Sequence, residues 1–433
     1  MDENRDMDRR EIRRRRRIRN QIIAYVSLAV IVIAVVVGGI VTVKHFAKQS
    51  ADKKQKEELA KQLEELEGSE EPVTISEPET VAEVNPLDAK IDACIAEMPL
   101  EDKVAGLFMI TPEALTGVDT AIKAGDGTKE ALNQYAVGGL VYFSKNIQSQ
   151  EQLTEMLSNT KMYSKYPIFL AVDEEGGEVS RVAEAGIGAE NVGNMADIGA
   201  SGDTQKAHDT AKILGTYLYG FGFNLDFAPV ADVLTNVDNT TIGNRSFGSD
   251  AAVVASMVSS FVNGMEETGV SSCLKHFPGL GDTTVDTHDG MATTERTLEQ
   301  FQAEEFTAFQ AGIDSGADFV MVGHVSAPAL AGDNTPASIS REVVGILRDD
   351  LGFEGIIITD ALNMKAITEY YTSDEAAIKA IQAGADMILM PEDFEAAYNG
   401  VLQAVQEGTI TEERINESLK RIYRVKYADS VEE

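Results

Sequence analysis

Eight short apolar runs, each followed by a longer polar or amphipathic stretch, set the tightest limit on how this chain can fold. They are GLFMI (106–110), GGLVYF (138–143), IFLAV (168–172), FNLDFAPV (223–230), SSCLKHF (271–277), DFVMVGH (318–324), GIIITD (355–360) and DMILM (386–390). Helical patterns lie between several of them, at 150–166, 251–269 and 298–316. Runs of this length and composition read as strands, and near-continuous apolar strands belong to a parallel sheet covered on both faces. Strands alternating with helices imply right-handed βαβ units. Eight such units predict a (β/α)8 TIM-type barrel with enlarged loops. A doubly wound open sheet is the competing arrangement, but no G-x-G-x-x-G follows any of the runs.

The segment ahead of the barrel has a different character. Residues 1–44 hold nine Arg and one Lys against five acids, in a chain whose net charge is −34. The Arg-rich run ends at Arg19, and residues 22–43 are uncharged and largely aliphatic. At ~1.5 Å per residue that stretch is long enough to cross ~30 Å of hydrocarbon. Arg on its N-terminal flank places that end in the cytoplasm. The length of the apolar run and the absence of an A-x-A site after it favour an uncleaved anchor over a signal peptide. No Cys lies near the end of the span, which speaks against lipoprotein processing. The expected organisation is a basic cytoplasmic tail (1–21), a transmembrane helix (22–43), a charged stalk and flexible linker (44–85) and the barrel domain (86–433), held outside the cell membrane. The acidic balance excludes nucleic acid as a partner. Cys94 and Cys273 are too few for a disulfide framework. A monomer is expected.

Polar side chains gather where the apolar runs end, which is where a barrel of this kind carries its chemistry. The third run ends in Asp173-Glu174-Glu175-Gly176-Gly177, and the fourth leads to Asp232 and Asn244-Arg245. The fifth ends in Lys275-His276, the sixth in His324 and the seventh in Thr359-Asp360. Taken singly, each has an ordinary explanation: Asp360 as a helix cap, Arg245 in an ion pair, His324 as a satisfied core histidine. The densest stretch is KHFPGLGDTTVDTHDG (275–290), which holds two of the five His. A carboxylate two residues from an imidazole, as in Asp286-Thr287-His288, can orient the ring and hold its proton. Asp360 can attack a carbon or stabilise positive charge, while Asp173, Arg245, Lys275 and His276 can hold hydroxyl and amide groups. Glycoside cleavage needs this combination, a proton donor and a carboxylate on opposite faces of a sugar ring. A metal site is the competing reading of the Asp/His set. It lacks a tight ligand spacing, and Lys275 beside His276 would oppose a cation. No cofactor is expected.

Four separated motifs, KHFPGLGDTTVDTH, AVDEEGGEVSRV (171–182), APVADV…IGNRSFG (228–248) and PASIS…LGFEGIIITDALNM (336–364), resemble the family 3 glycoside hydrolases, and more closely their single-domain bacterial β-N-acetylglucosaminidases. The resemblance covers about residues 90–428 and implies a barrel that removes terminal N-acetylglucosamine from peptidoglycan or chitin fragments. By position it makes Asp360 the nucleophile, His288 the general acid–base with Asp286 as its orienting partner, and Asp173, Arg245, Lys275 and His276 the sugar contacts. Double displacement would retain configuration at the anomeric carbon. Two departures stand out. The usual G-H-G after KHFP is Gly279-Leu280-Gly281, and the usual D-Q-E-G-G-R is Asp173-Glu174-Glu175-Gly176-Gly177-Glu178, with Arg181 retained. β-Glucosidase or β-xylosidase activity, phosphorolysis, and a non-catalytic wall-binding role stay open beside the hydrolase.

Overall fold

A computed structural model describes residues 85–287 and 290–428. The expected tail, membrane span and stalk lie outside the described residues, as does His288. Among the described residues no helix is long and apolar enough to cross a membrane.

All eight apolar runs contain a strand. These are β1 (Phe108–Ile110), β2 (Gly139–Tyr142), β3 (Phe169–Val172), β4 (Leu225–Asp226), β5 (Ser271–Phe277), β6 (Phe319–Val322), β7 (Ile356–Thr359) and β8 (Ile388–Leu389). They form one sheet in the order β8-β1-β2-β3-β4-β5-β6-β7, with every paired neighbour parallel. β8 pairs with β1 through Phe108↔Ile388, and a bridge from Ile358 to Met387 joins β7 to the start of β8, so the sheet curls into a barrel. Every strand residue is buried, as expected of strands with helices outside and side chains inside.

Two expectations about element boundaries change. The run 223–230 yields only two ladder residues. Pro229 has no N–H to give the ladder, and beyond it pairing resumes as a bridge between Val230 and Lys275, with Ala231 N donating to Lys275 O at 2.7 Å. The pattern 298–316 is two helices, Leu298–Ala303 and Glu305–Asp314, broken at Glu304, whose φ of −123° is not helical.

The ends of the barrel differ in chemistry. At the N-terminal end, the first residues of β3 and β6, Phe169 and Phe319, meet edge to face at 5.0 Å although their strands are not neighbours, so the contact crosses the interior. Lys426 lies 4.8 Å above Phe169 and donates to the Gly138 carbonyl. The C-terminal ends carry the polar groups. Capped helices on the outside hold the strands in place. Asp203 caps Thr204–Phe221, which ends at left-handed Gly222, and Asp250 caps Ala251–Glu266.

Candidate active site

The acidic triplet after β3 alternates like the strand it extends. Residues Glu174–Gly176 pair antiparallel with Val179–Ser180, so successive side chains point to opposite sides. Asp173 and Glu175 face the barrel mouth, and Glu174 faces the outer shell. There Glu174 accepts hydrogen bonds from Val182 N (2.6 Å), Ala183 N (3.0 Å) and the Tyr217 hydroxyl (2.7 Å), capping the short helix Arg181–Glu184. Burial nonetheless raises its pKa, against the pull of those donors. Its own N–H goes to Oδ1 of Asp226 at the end of β4. Asp226 Oδ2 is buried with no hydrogen-bond partner among the described residues, and burial holds that carboxyl well above the usual carboxylate range.

On the inner side, two carboxylates and two cations form one chain of contacts. Lys275 Nζ lies 2.6 Å from Asp173 Oδ1 and 2.6 Å from Glu175 Oε1. Arg245 forks onto Glu175 through Nε–Oε2 and Nη2–Oε1, both 2.8 Å, and its Nη1 donates to Thr241 O. Lys275 and Glu175 are each 2 % exposed. Burial alone would push the Glu175 pKa up, but Arg245 and then Lys275 outweigh it and hold the carboxyl well below the usual range. The same pairs raise Lys275 and Arg245 against their own desolvation. All three therefore stay ionised at neutral pH. Each buried charge has an opposite partner with hydrogen-bonding geometry, the condition under which buried ions are tolerated.

A second pair stands beside the first. His276 Nδ1 is 2.7 Å from Asp232 Oδ2, which also accepts the His276 backbone N–H at 3.1 Å, while Asp232 Oδ1 takes Leu280 N at 2.6 Å. Asp232 thus fixes the His276 ring and the turn that follows it. Leu280 is buried, and its carbonyl accepts from Asn239 Nδ2 and Thr283 Oγ1. This residue completes the apolar packing beneath the loop. The loop turns on two glycines. Gly279 has φ +133°, and a Cβ there would meet Glu305 Cγ at 2.5 Å. A Cβ on Gly281 would meet Val233 O at 1.8 Å.

Asp360 follows β7 directly. Its N–H donates to Val322 O at 2.8 Å, continuing the β6–β7 ladder, and its Oδ1 accepts Ala361 N at 2.8 Å. β7 lies two strands from β5, roughly 10 Å along the sheet at the usual spacing. The loop after β5 reaches the same region, for Thr287 O accepts Ala366 N at 3.2 Å, from the short helix that follows Asp360. Asp286 is half-buried in that loop. The loop's base is held by Thr294 Oγ1 donating to Asp282 Oδ2 and by a bridge between Thr293 and Ser326. Among the described residues no group of three or more His, Cys, Asp or Glu is placed to hold a metal ion.

The structure therefore brings Asp173, Lys275 and Arg245 together, seats His276 beside them in the chain, and puts Asp360 at the end of β7, two strands from β5. Sequence reasoning passed over Glu175, which links Arg245 to Lys275, and did not pair Asp232 with His276. The position of Glu175, two residues from Asp173 in an extending strand, is the signal for the first. Nothing local signals the second, because its partners are 44 residues apart. Glu178 is exposed at the hairpin turn.

Comparison with known proteins identifies the family. The glycosyl hydrolase family 3 N-terminal domain matches residues 99–425, and the chain belongs to that family of glycoside hydrolases. It is similar to beta-hexosaminidase A of Pseudoalteromonas piscicida, with 32 % identity over 69 % of this chain and 54 % of the relative. Beta-hexosaminidase LpqI of Mycobacterium tuberculosis is 31 % identical over 82 % of this chain and 88 % of its own length. A solved family 3 beta-N-acetylglucosaminidase from Paenibacillus sp. str. FPU-7 superimposes with a TM-score of 0.72 at 35 % identity, over 78 % of this chain and 64 % of that one. The chain thus spans little more than half of the first relative and just under two thirds of the Paenibacillus protein.

Proposed function

We propose that this protein is an exo-acting, retaining β-N-acetylglucosaminidase that removes terminal N-acetylglucosamine from peptidoglycan or chitin fragments. The observation that carries the reading is the buried Asp173–Lys275–Glu175–Arg245 chain at the barrel mouth with Asp360 at the end of β7. The first supplies fixed polar groups for a hydroxyl- and amide-rich ring, and the second a carboxylate for the anomeric carbon. The curated relatives named beta-hexosaminidase support the sugar class.

In this reading Asp173, Arg245, Lys275 and His276 hold the terminal sugar. The Asp360 carboxylate attacks C1. As the bond from C1 to the leaving oxygen breaks, His288 delivers its proton to that oxygen. Water then enters, His288 takes one of its protons, and attack of the oxygen on C1 releases Asp360. Asp286 orients the His288 ring. Two displacements return the β configuration. The proposed setting is the outer side of the cell membrane, with residues 22–43 as the anchor, and protease shaving of intact cells tests it: cleavage of the domain supports the placement and full protection contradicts it.

Hydrolysis of p-nitrophenyl N-acetyl-β-glucosaminide tests the activity. The wild-type protein is expected to turn it over, and folded Asp360→Ala and His288→Ala variants to lose at least about 10³-fold in kcat/KM. Equal rates in variants and wild type, or none in any, would sink the reading.

A further inference from the structure

Resting on the proposed role of Asp360 as nucleophile, we infer that His324 is a positioning residue, which holds the peptide after Asp360 and through it the orientation of the attacking carboxylate. His324 lies just beyond β6, and its residue surface is fully buried. Its Nε2 is 2.9 Å from the Ala361 carbonyl oxygen. A carbonyl only accepts, so Nε2 carries the hydrogen. Its Nδ1 is 2.7 Å from Ser338 Oγ, on a buried turn. Ser338 N donates to Gly323 O and Ala337 N to Val325 O, so the hydroxyl that fixes the ring is tied to the backbone on both sides of His324.

The peptide that His324 grips is the one that touches the carboxylate. Ala361 N donates to Asp360 Oδ1 at 2.8 Å, while Ala361 O receives the imidazole N–H. The flanking backbone is fixed independently, Asp360 N to Val322 O and Leu362 N to Leu389 O. Without His324 the Ala361 carbonyl loses this buried partner, and the peptide plane has lost the contact that sets its tilt. Because Ala361 N–H lies in that plane, tilting it re-aims the bond to Oδ1. Displacement of a reacting group by about 1 Å can cost about 10²-fold in rate without changing what binds the substrate.

Steady-state kinetics on the aryl N-acetylglucosaminide, with melting temperatures beside them, test this. His324→Ala is expected to lower kcat about 10- to 100-fold with KM within about 3-fold. His324→Gln, whose side-chain amide can reach the Ala361 carbonyl as a donor, is expected to recover most of that loss. Ser338→Ala keeps Nε2 but releases the ring, and is expected to lower kcat by a smaller factor at unchanged KM; it carries the test if His324→Ala does not fold. A folded His324→Ala or Ser338→Ala protein with lower melting temperature and wild-type kcat would overturn the inference, as would a His324→Gln variant no better than alanine. Asp360→Ala, assayed alongside, separates the two claims. If it retains the wild-type rate, the nucleophile reading itself fails. If it is inactive while the His324 and Ser338 variants run at full speed, only the positioning role does.

Discussion

Replacing Glu175 by Gln removes one negative charge from between two buried cations while keeping the shape of the side chain. In the native protein Glu175 takes both arms of Arg245 at 2.8 Å and Lys275 at 2.6 Å. The amide keeps an oxygen for one donor but turns an NH2 toward the other, and Lys275 is left with Asp173 alone. Removing one partner of a buried ion pair costs roughly 3–5 kcal/mol. With an unfolding entropy of about 2.1 cal/mol/K per residue over about 340 residues, that corresponds to a fall in Tm of about 4–7 °C. The pH dependence has a definite sign. The Glu175 pKa is depressed in the folded state, so its contribution is present above the ordinary carboxylate range and is lost as pH falls below it. The wild-type protein should therefore lose this increment on acidification, and Glu175→Gln should show a flatter acid limb. Differential scanning calorimetry between pH 3 and 8, with kcat/KM at pH 7, reads both effects. We expect kcat/KM to fall about 10²-fold as Lys275 and Arg245 lose their fixed geometry. A variant with Tm within 1 °C of wild type, an unchanged acid limb and kcat/KM within twofold would refute the argument that this network organises the site.

Two other substitutions address separate parts of the structure. Asp232→Asn offers His276 Nδ1 an amide in place of a carboxylate, so either the ring or the amide must turn; kcat/KM should fall about 10- to 100-fold, chiefly through KM, and an unchanged KM would contradict a sugar-holding role for His276. Glu305 is buried beneath Gly279, and burial raises its pKa to about 7 even with Arg296 Nη2 3.2 Å away. The folded protein therefore binds a proton there that the unfolded chain releases near pH 4.5, and stability falls as pH rises toward 7, by on the order of 3 kcal/mol. Glu305→Gln should flatten that slope in calorimetric scans at pH 5 and pH 8, and an unaltered slope would show that the carboxyl is not the titrating group.

The barrel was legible because parallel strands buried on both faces cannot alternate in polarity, so each of the eight announced itself as an apolar run. Propensity overstated β4, where Pro229 stops the ladder, and joined two helices that Glu304 separates. The site was legible in part. Asp173 and Lys275 stand at strand ends and Arg245 in the loop that follows β4, where a barrel concentrates chemistry. Glu174 and Glu175 are identical letters, however, and only the alternation of the strand sends one to a helix N-terminus and the other to the cations. The carboxylate–imidazole logic read from Asp286 and His288 recurs between Asp232 and His276, where a separation of 44 residues hid it. His324 was read as an ordinary core histidine, and its hydrogen bonds to Ser338 and Ala361 fit that description; its link to Asp360 emerges only from the peptide between them.

The central claim is that Asp360 forms a bond to the sugar. Incubation with a slow-turnover 5-fluoro N-acetylglucosaminyl fluoride, followed by peptic digestion and mass spectrometry, tests it directly. A single labelled peptide containing Asp360 is expected, with no label in Asp360→Ala. A label on another carboxylate, or steady turnover of the reagent with no labelled peptide and release of the α-anomer, would contradict it.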